Sequence, residues 1–178
     1  MTTVLAASGV AVLVLLAGSV PWAFLGTWNQ RVGLATPWAI VPMSIYLWAY
    51  FSVIGGRWMA AGSEHRRADL RAHAVPARVW RVALPAGLLG IGAVLALIVV
   101  ISRLIHLPPG EPIAAPRGMP AATMFALLAM QSVVAGVTEE SAFRGYMQSM
   151  VGRRFGVTVG IFASGVLFGL LHFPNHPG

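Results

Sequence analysis

The chain alternates long apolar runs with short polar connections. Five runs stand out: Val4–Leu25, Pro37–Ile54, Val82–Ile101, Met119–Val137 with a polar extension to about Met150, and Val157–Phe173. A helix that crosses a bilayer needs about 20 mostly apolar residues, and each run meets or approaches that length. The first three contain no Asp, Glu, Lys, Arg or His. Aromatic residues collect near the ends of the early runs, namely Trp22, Phe24, Trp28, Trp38, Trp48, Tyr50, Trp58 and Trp80, as expected of side chains at the two membrane–water interfaces. The pattern predicts an all-α protein, a polytopic helical transmembrane bundle of about five spans forming a single membrane domain over residues 1–178.

Composition supports the membrane assignment. Hydrophobic residues make up 57% of the 178 positions and charged residues only 10%, far below the roughly 25% charged residues of a soluble domain. Mean hydropathy is +0.77. Val4–Val20 is not preceded by a basic segment and no small-residue cleavage site follows it, so it reads as a retained span and not as a signal peptide.

The net charge of +7 comes from arginine alone. The arginines lie between the apolar runs, where they set orientation, and not on a nucleic-acid-binding face. Gly55–Arg81 holds six of them and reads as a solvated, lipid-facing basic loop. Arg153 and Arg154 mark the turn before the last run. The positive-inside rule puts both connections, and with them the N-terminus, in the cytoplasm. The absence of cysteine excludes disulfides, thiolate metal sites and a cysteine nucleophile.

Candidate chemistry is confined to the last two runs. The fourth ends Val137-Thr138-Glu139-Glu140-Ser141-Ala142-Phe143-Arg144. Charged groups on a membrane helix are costly and read as functional by default, although a solvated headgroup position would explain them too. In a regular helix Glu140 and Arg144 share a face and can pair, whereas Glu139 is turned away from Arg144. Glu139 is then a free carboxylate able to act as a general base. Ser132, Ala135 and Gly136 lie on its face, and their small size predicts close helix packing there. The fifth run supplies Phe168 and His172, four residues apart. A hairpin folded at Arg153-Arg154 places Glu139 and His172 at comparable depths, about 21 and 28 Å from the turn. Gly152, Gly156, Gly160, Gly165 and Gly169 have the spacing of close helix contacts.

Glu139-Glu140-x-x-x-Arg144 followed by Phe168-x-x-x-His172 resembles the first two motifs of the CPBP intramembrane proteases, the group that includes the type II CAAX prenyl endopeptidases and the bacteriocin-processing, Abi-like and immunity proteins. The motif-bearing region is residues 119–178. The resemblance implies a larger fold of roughly eight spans in a bacterial plasma membrane, and hydrolysis of a peptide or membrane-protein substrate by an activated water. Glu139 and His172 would be catalytic, with Glu140, Arg144 and Phe168 supporting them. A divalent metal such as zinc is left open, with Glu139, Glu140 and His172 as candidate ligands. The family's later histidine-bearing motif has no counterpart before Gly178. The chain therefore reads as C-terminally truncated, with His176 a poor substitute because Pro174 intervenes. The alternative is a non-enzymatic membrane partner, an immunity or scaffold protein on the same fold. A proton-relaying transporter ranks below both.

Overall fold

The computed structural model describes residues 2–33, 35–70, 75–105 and 118–172. Among these residues every regular element is helical. The order is α1 (Thr2–Val32), α2 (Ile40–Ile54), α3 (Ser63–Leu70), α4 (Ala77–Leu104), α5 (Ala121–Glu139), a π-helical segment (Glu140–Met147), α6 (Gln148–Phe155) and α7 (Val157–His172). The chain forms two compact units, one of residues 1–72 with 115–178 and one of residues 73–114. The second unit is in essence α4, an apolar helix with arginines at its two ends and no buried residue.

Five apolar helices occur where the five runs lie. Three are long and apolar enough to cross a membrane: Thr3–Val32, Ala77–Leu104 and the continuous Ala121–Phe155. The protein is an integral membrane protein. The other two, Ile40–Ile54 and Val157–His172, reach only about 23 Å at 1.5 Å per residue, short of a ~30 Å hydrocarbon core. For α2 the shortfall arises because residues 37–39 are spent on a turn.

That turn is organised by Asn29, which is fully buried. Its amide donates to the carbonyls of Gly33 and Thr36, at 2.9 and 3.0 Å, and its oxygen accepts the Ala39 backbone N–H at 2.9 Å. Further up α1, Pro21 lies inside the helix. Proline has no N–H, so the carbonyl four residues earlier, that of Ala17, loses its helical partner. In a bilayer such a carbonyl must be satisfied within the protein. The Tyr46 hydroxyl on α2 donates to it at 2.6 Å, and one turn away the Tyr50 hydroxyl donates to Val14 O at 2.9 Å.

Two apolar clusters hold the first unit together. One joins α1, α2 and α5 around Trp22, Met43, Leu47, Tyr50, Met130 and Val134. The other joins α1 to the π segment and α6 around Ala7, Ala11, Phe143, Met147 and Val151. Trp22 and Tyr50 therefore belong to the core and not to an interfacial belt, whereas Phe24, Trp28, Trp48, Trp58 and Trp80 are exposed.

Over residues 55–70 the basic segment after α2 is a closed turn and a helix and not an open loop. Arg66 on α3 donates to the carbonyls of Val53, Trp58, Met59 and Ala61. It thereby closes a turn that contains left-handed Gly56, Met59 and Gly62. Asp69, at the end of α3, is buried; it pairs with Arg153, and its carbonyl accepts the Ser149 hydroxyl at 2.8 Å. Arg153, counted from sequence as an orientation charge, thus also docks α3 on α6.

Candidate active site

The site forms where α5 runs into the π segment and α7 folds back beside it. Six of the eight π residues are buried: Ser141, Ala142, Phe143, Gly145, Tyr146 and Met147. The segment packs against α1, α3 and α7, leaving Glu140 and Arg144 on the outside. These two form the expected ion pair at 3.0 Å, with side chains 63% and 73% exposed. Tyr146 anchors the inner face by donating its hydroxyl to Ile54 O at 2.5 Å. π-helical turns are rare and concentrate at functional sites.

Glu139 is the last residue before the π turn, and its side chain is 32% exposed. It points toward α7, where His172 Nε2 lies 3.8 Å from Glu139 Oε1. His172 is oriented from its other side: Nδ1 is 2.8 Å from the carbonyl oxygen of Phe168. A carbonyl only accepts, so Nδ1 carries the hydrogen, and in the neutral ring Nε2 presents a lone pair toward the carboxylate. The Phe168 ring lies against the imidazole at 4.3 Å between centroids and meets Phe143 edge-on at 5.3 Å. Glu139, Glu140, Arg144, Phe168 and His172 are therefore gathered in one place.

Two clefts open onto Glu139. One, of about 200 Å³, lies between the π segment and α7, with Glu140, Arg144, Gln148 and Ser164 among its walls. The other, of about 290 Å³, lies between α1, α5 and α7 and is shared by His172, Trp22, Gln131 and Thr138. Gln131 is not among the residues that the two motifs predict, although a carboxamide in the middle of an otherwise apolar run is itself a signal.

The close approach that sets the α6–α7 hairpin comes from Gly160. A Cβ there would lie 2.7 Å from Gln148 O and 3.0 Å from Gly152 N. Gly136, Gly165 and Gly169 face open space instead, and Ser132 is exposed. The buried face of α5 is Thr123, Leu127, Met130, Val134 and Thr138. Ser132 and Gly136 thus do not mediate helix packing among the described residues; Glu139 is instead half-buried where α5 meets α7.

A catalytic zinc takes three protein ligands and a water. Glu139 and His172 supply two converging donors, while Glu140 is turned to Arg144. No cluster of three histidine, cysteine, aspartate or glutamate side chains occurs among the described residues. The described residues do not fit a three-ligand metal centre. His176 lies outside the described residues.

These features define a class: a helical membrane protein with a carboxylate and an imidazole facing each other across adjacent helices. Residues 119–178 match the family model described as type II CAAX prenyl endopeptidase Rce1-like. The match covers about a third of the chain and includes all five motif residues. This segment is similar to that family, in keeping with the resemblance carried by its two motifs. No curated protein and no solved structure matches the chain.

Proposed function

We propose that the chain acts in intramembrane proteolysis, with Glu139 and His172 activating a water that attacks a peptide carbonyl of a membrane-associated substrate. The approach of Glu139 Oε1 to His172 Nε2 carries this reading. At 3.8 Å the two atoms are too far apart for a direct hydrogen bond. Both are acceptors when the ring is neutral. A water donating one O–H to each, over legs of about 2.8 Å, spans acceptors roughly 4 Å apart. Its oxygen lone pairs then face away from both and are free to attack.

In the reaction the water oxygen bonds to the carbonyl carbon as Glu139 takes its proton. The carboxylic acid so formed delivers that proton to the leaving nitrogen as the C–N bond breaks. No covalent intermediate with the protein is involved. Phe168 fixes His172 from one side, and the Glu140–Arg144 pair braces the outer wall of the cleft. The apolar surroundings suit an extended hydrophobic peptide, such as a CAAX-like C-terminus or a membrane-protein segment.

The test is cleavage of a fluorogenic apolar peptide, prenylated and unprenylated, by the protein in lipid nanodiscs. Glu139→Gln should lower kcat/KM at least ~10²-fold, the usual scale of a lost general base, with thermal stability unchanged. Cleavage equal to that of the parent protein would overturn the assignment. A parent protein that binds peptide without cutting it, and tolerates Glu139→Gln, would instead be a non-enzymatic partner.

A further inference from the structure

The cleft between α1, α5 and α7 is lined by three polar side chains that the hydrolytic chemistry does not use, and of these Ser19 and Thr138 donate to backbone carbonyls of their own helices, which leaves Gln131. Gln131 is exposed in the middle of α5 and lines this cleft together with Glu139 and His172. Its Oε1 accepts a hydrogen bond from Nε1 of Trp22, a ring only 5% exposed within the core. An indole nitrogen donates and never accepts. The carboxamide orientation is thereby settled: the oxygen faces Trp22 and the NH2 group faces away from it. Among the described residues that NH2 has no protein acceptor. An amide donor facing hydrocarbon is costly, which favours its presentation to a ligand in the cleft.

Gln131 precedes Glu139 by eight residues, about 12 Å along the helix axis at 1.5 Å per residue. An extended peptide advances about 3.3 Å per residue. A chain lying in this cleft with one bond at Glu139 therefore passes Gln131 three or four residues away. We propose that Gln131 is a substrate-positioning residue, clamped by Trp22 so that its NH2 donates to a carbonyl-type oxygen of the peptide at that distance from the scissile bond. The acceptor is either a backbone carbonyl of a longer chain or the carboxylate of a chain that ends there. This inference rests on the proteolytic reading of the same cleft.

The experiment measures binding of labelled apolar peptides to the Glu139→Gln protein in nanodiscs, so that no turnover is needed. Two peptide series are shortened stepwise from either end. Gln131→Leu should weaken binding about 3- to 10-fold, the scale of one neutral hydrogen bond, for peptides that reach the fourth residue on one side. It should leave shorter peptides unchanged. Trp22→Phe, which frees the carboxamide, should give a smaller loss with the same length dependence. Where the acceptor is a backbone carbonyl, replacing that amide by an ester should weaken binding to the otherwise unchanged Glu139→Gln protein, and needs no second variant to fold. If C-terminal amidation alone reproduces the loss, the acceptor is the terminal carboxylate; if it has no effect, the acceptor is a backbone carbonyl. Gln131→Leu losses equal for long and short peptides, or absent for both, would overturn the proposal. Failure of the proteolytic reading shows separately, as no cleavage by the protein that retains Glu139.

Discussion

The Tyr46 hydroxyl donates to the Ala17 carbonyl at 2.6 Å, the one carbonyl of α1 that Pro21 deprives of its helical partner. A side chain on α2 thus repairs a gap that the sequence of α1 creates. Tyr46→Phe should destabilise the protein by about 1 kcal/mol, the typical net contribution of one hydrogen bond. Pro21→Ala restores the backbone bond, so in that background Tyr46→Phe should have little effect. A double-mutant cycle of thermal unfolding in detergent measures the coupling.

His172 uses its two ring nitrogens differently, and substitutions can separate them. Asparagine keeps a donor near the Nδ1 position and can still reach Phe168 O, but it has nothing at Nε2. His172→Asn should fold normally and lose about 10²-fold or more in kcat/KM. Glutamine places an acceptor nearer the Nε2 position, so His172→Gln should retain more activity than His172→Asn. Circular dichroism and peptide cleavage, measured on the same preparations, decide this.

The glycines of α7 are not equivalent. Gly160→Ala drives a methyl group into the backbone of α6 and should cost about 1–3 kcal/mol, the usual cost of overpacking. Gly165→Ala and Gly169→Ala meet open space and should be neutral or slightly stabilising, since alanine favours helix. Thermal midpoints of the three variants rank them directly.

Arg153 is half-exposed, but the carboxylate it pairs with is only 11% exposed. Arg153→Ala leaves that buried charge without its cation and should cost about 1–3 kcal/mol. Asp69→Asn with Arg153→Ala should recover part of the loss, because the orphaned charge is gone. By contrast, Arg144→Ala breaks an exposed i,i+4 pair and should change stability by no more than about 0.5 kcal/mol. A large loss of cleavage in Arg144→Ala would then reflect the site and not the fold.

Much of this arrangement was legible in the sequence because it depends on apolar run length and helical spacing. The five runs became apolar helices. The i,i+4 relation gave the Glu140–Arg144 pair, and depth from the hairpin turn brought Glu139 to His172. What escaped depends on partners distant in sequence. Ser63–Leu70 has no apolar face that would announce a helix; it is held by Arg66 on backbone carbonyls and by Asp69 on Arg153, 84 residues away. Trp22 is buried among apolar residues of α2 and α5 and donates to Gln131, 109 residues away. Helical spacing alone could not tell Gly160, which meets a neighbouring backbone, from Gly165, which does not.

The wide π turn between Glu139 and Gln148 also acts as a phase shifter in the helix. Its i→i+5 bonding takes up more residues per turn than the α-helix on either side, as though one residue had been inserted into a regular rod. Loss of a single residue from 140–147 would let the segment relax to α geometry. Everything before it would then rotate by about 100° relative to everything after it. Val134 and Thr138 could not stay on their packed face while Phe143 and Met147 stayed on theirs, and Glu139 would swing away from α7. The chain's length in this stretch is thus as much a determinant of the site as its chemistry: substitutions within 140–147 can be graded, but a change of reading register along the helix cannot.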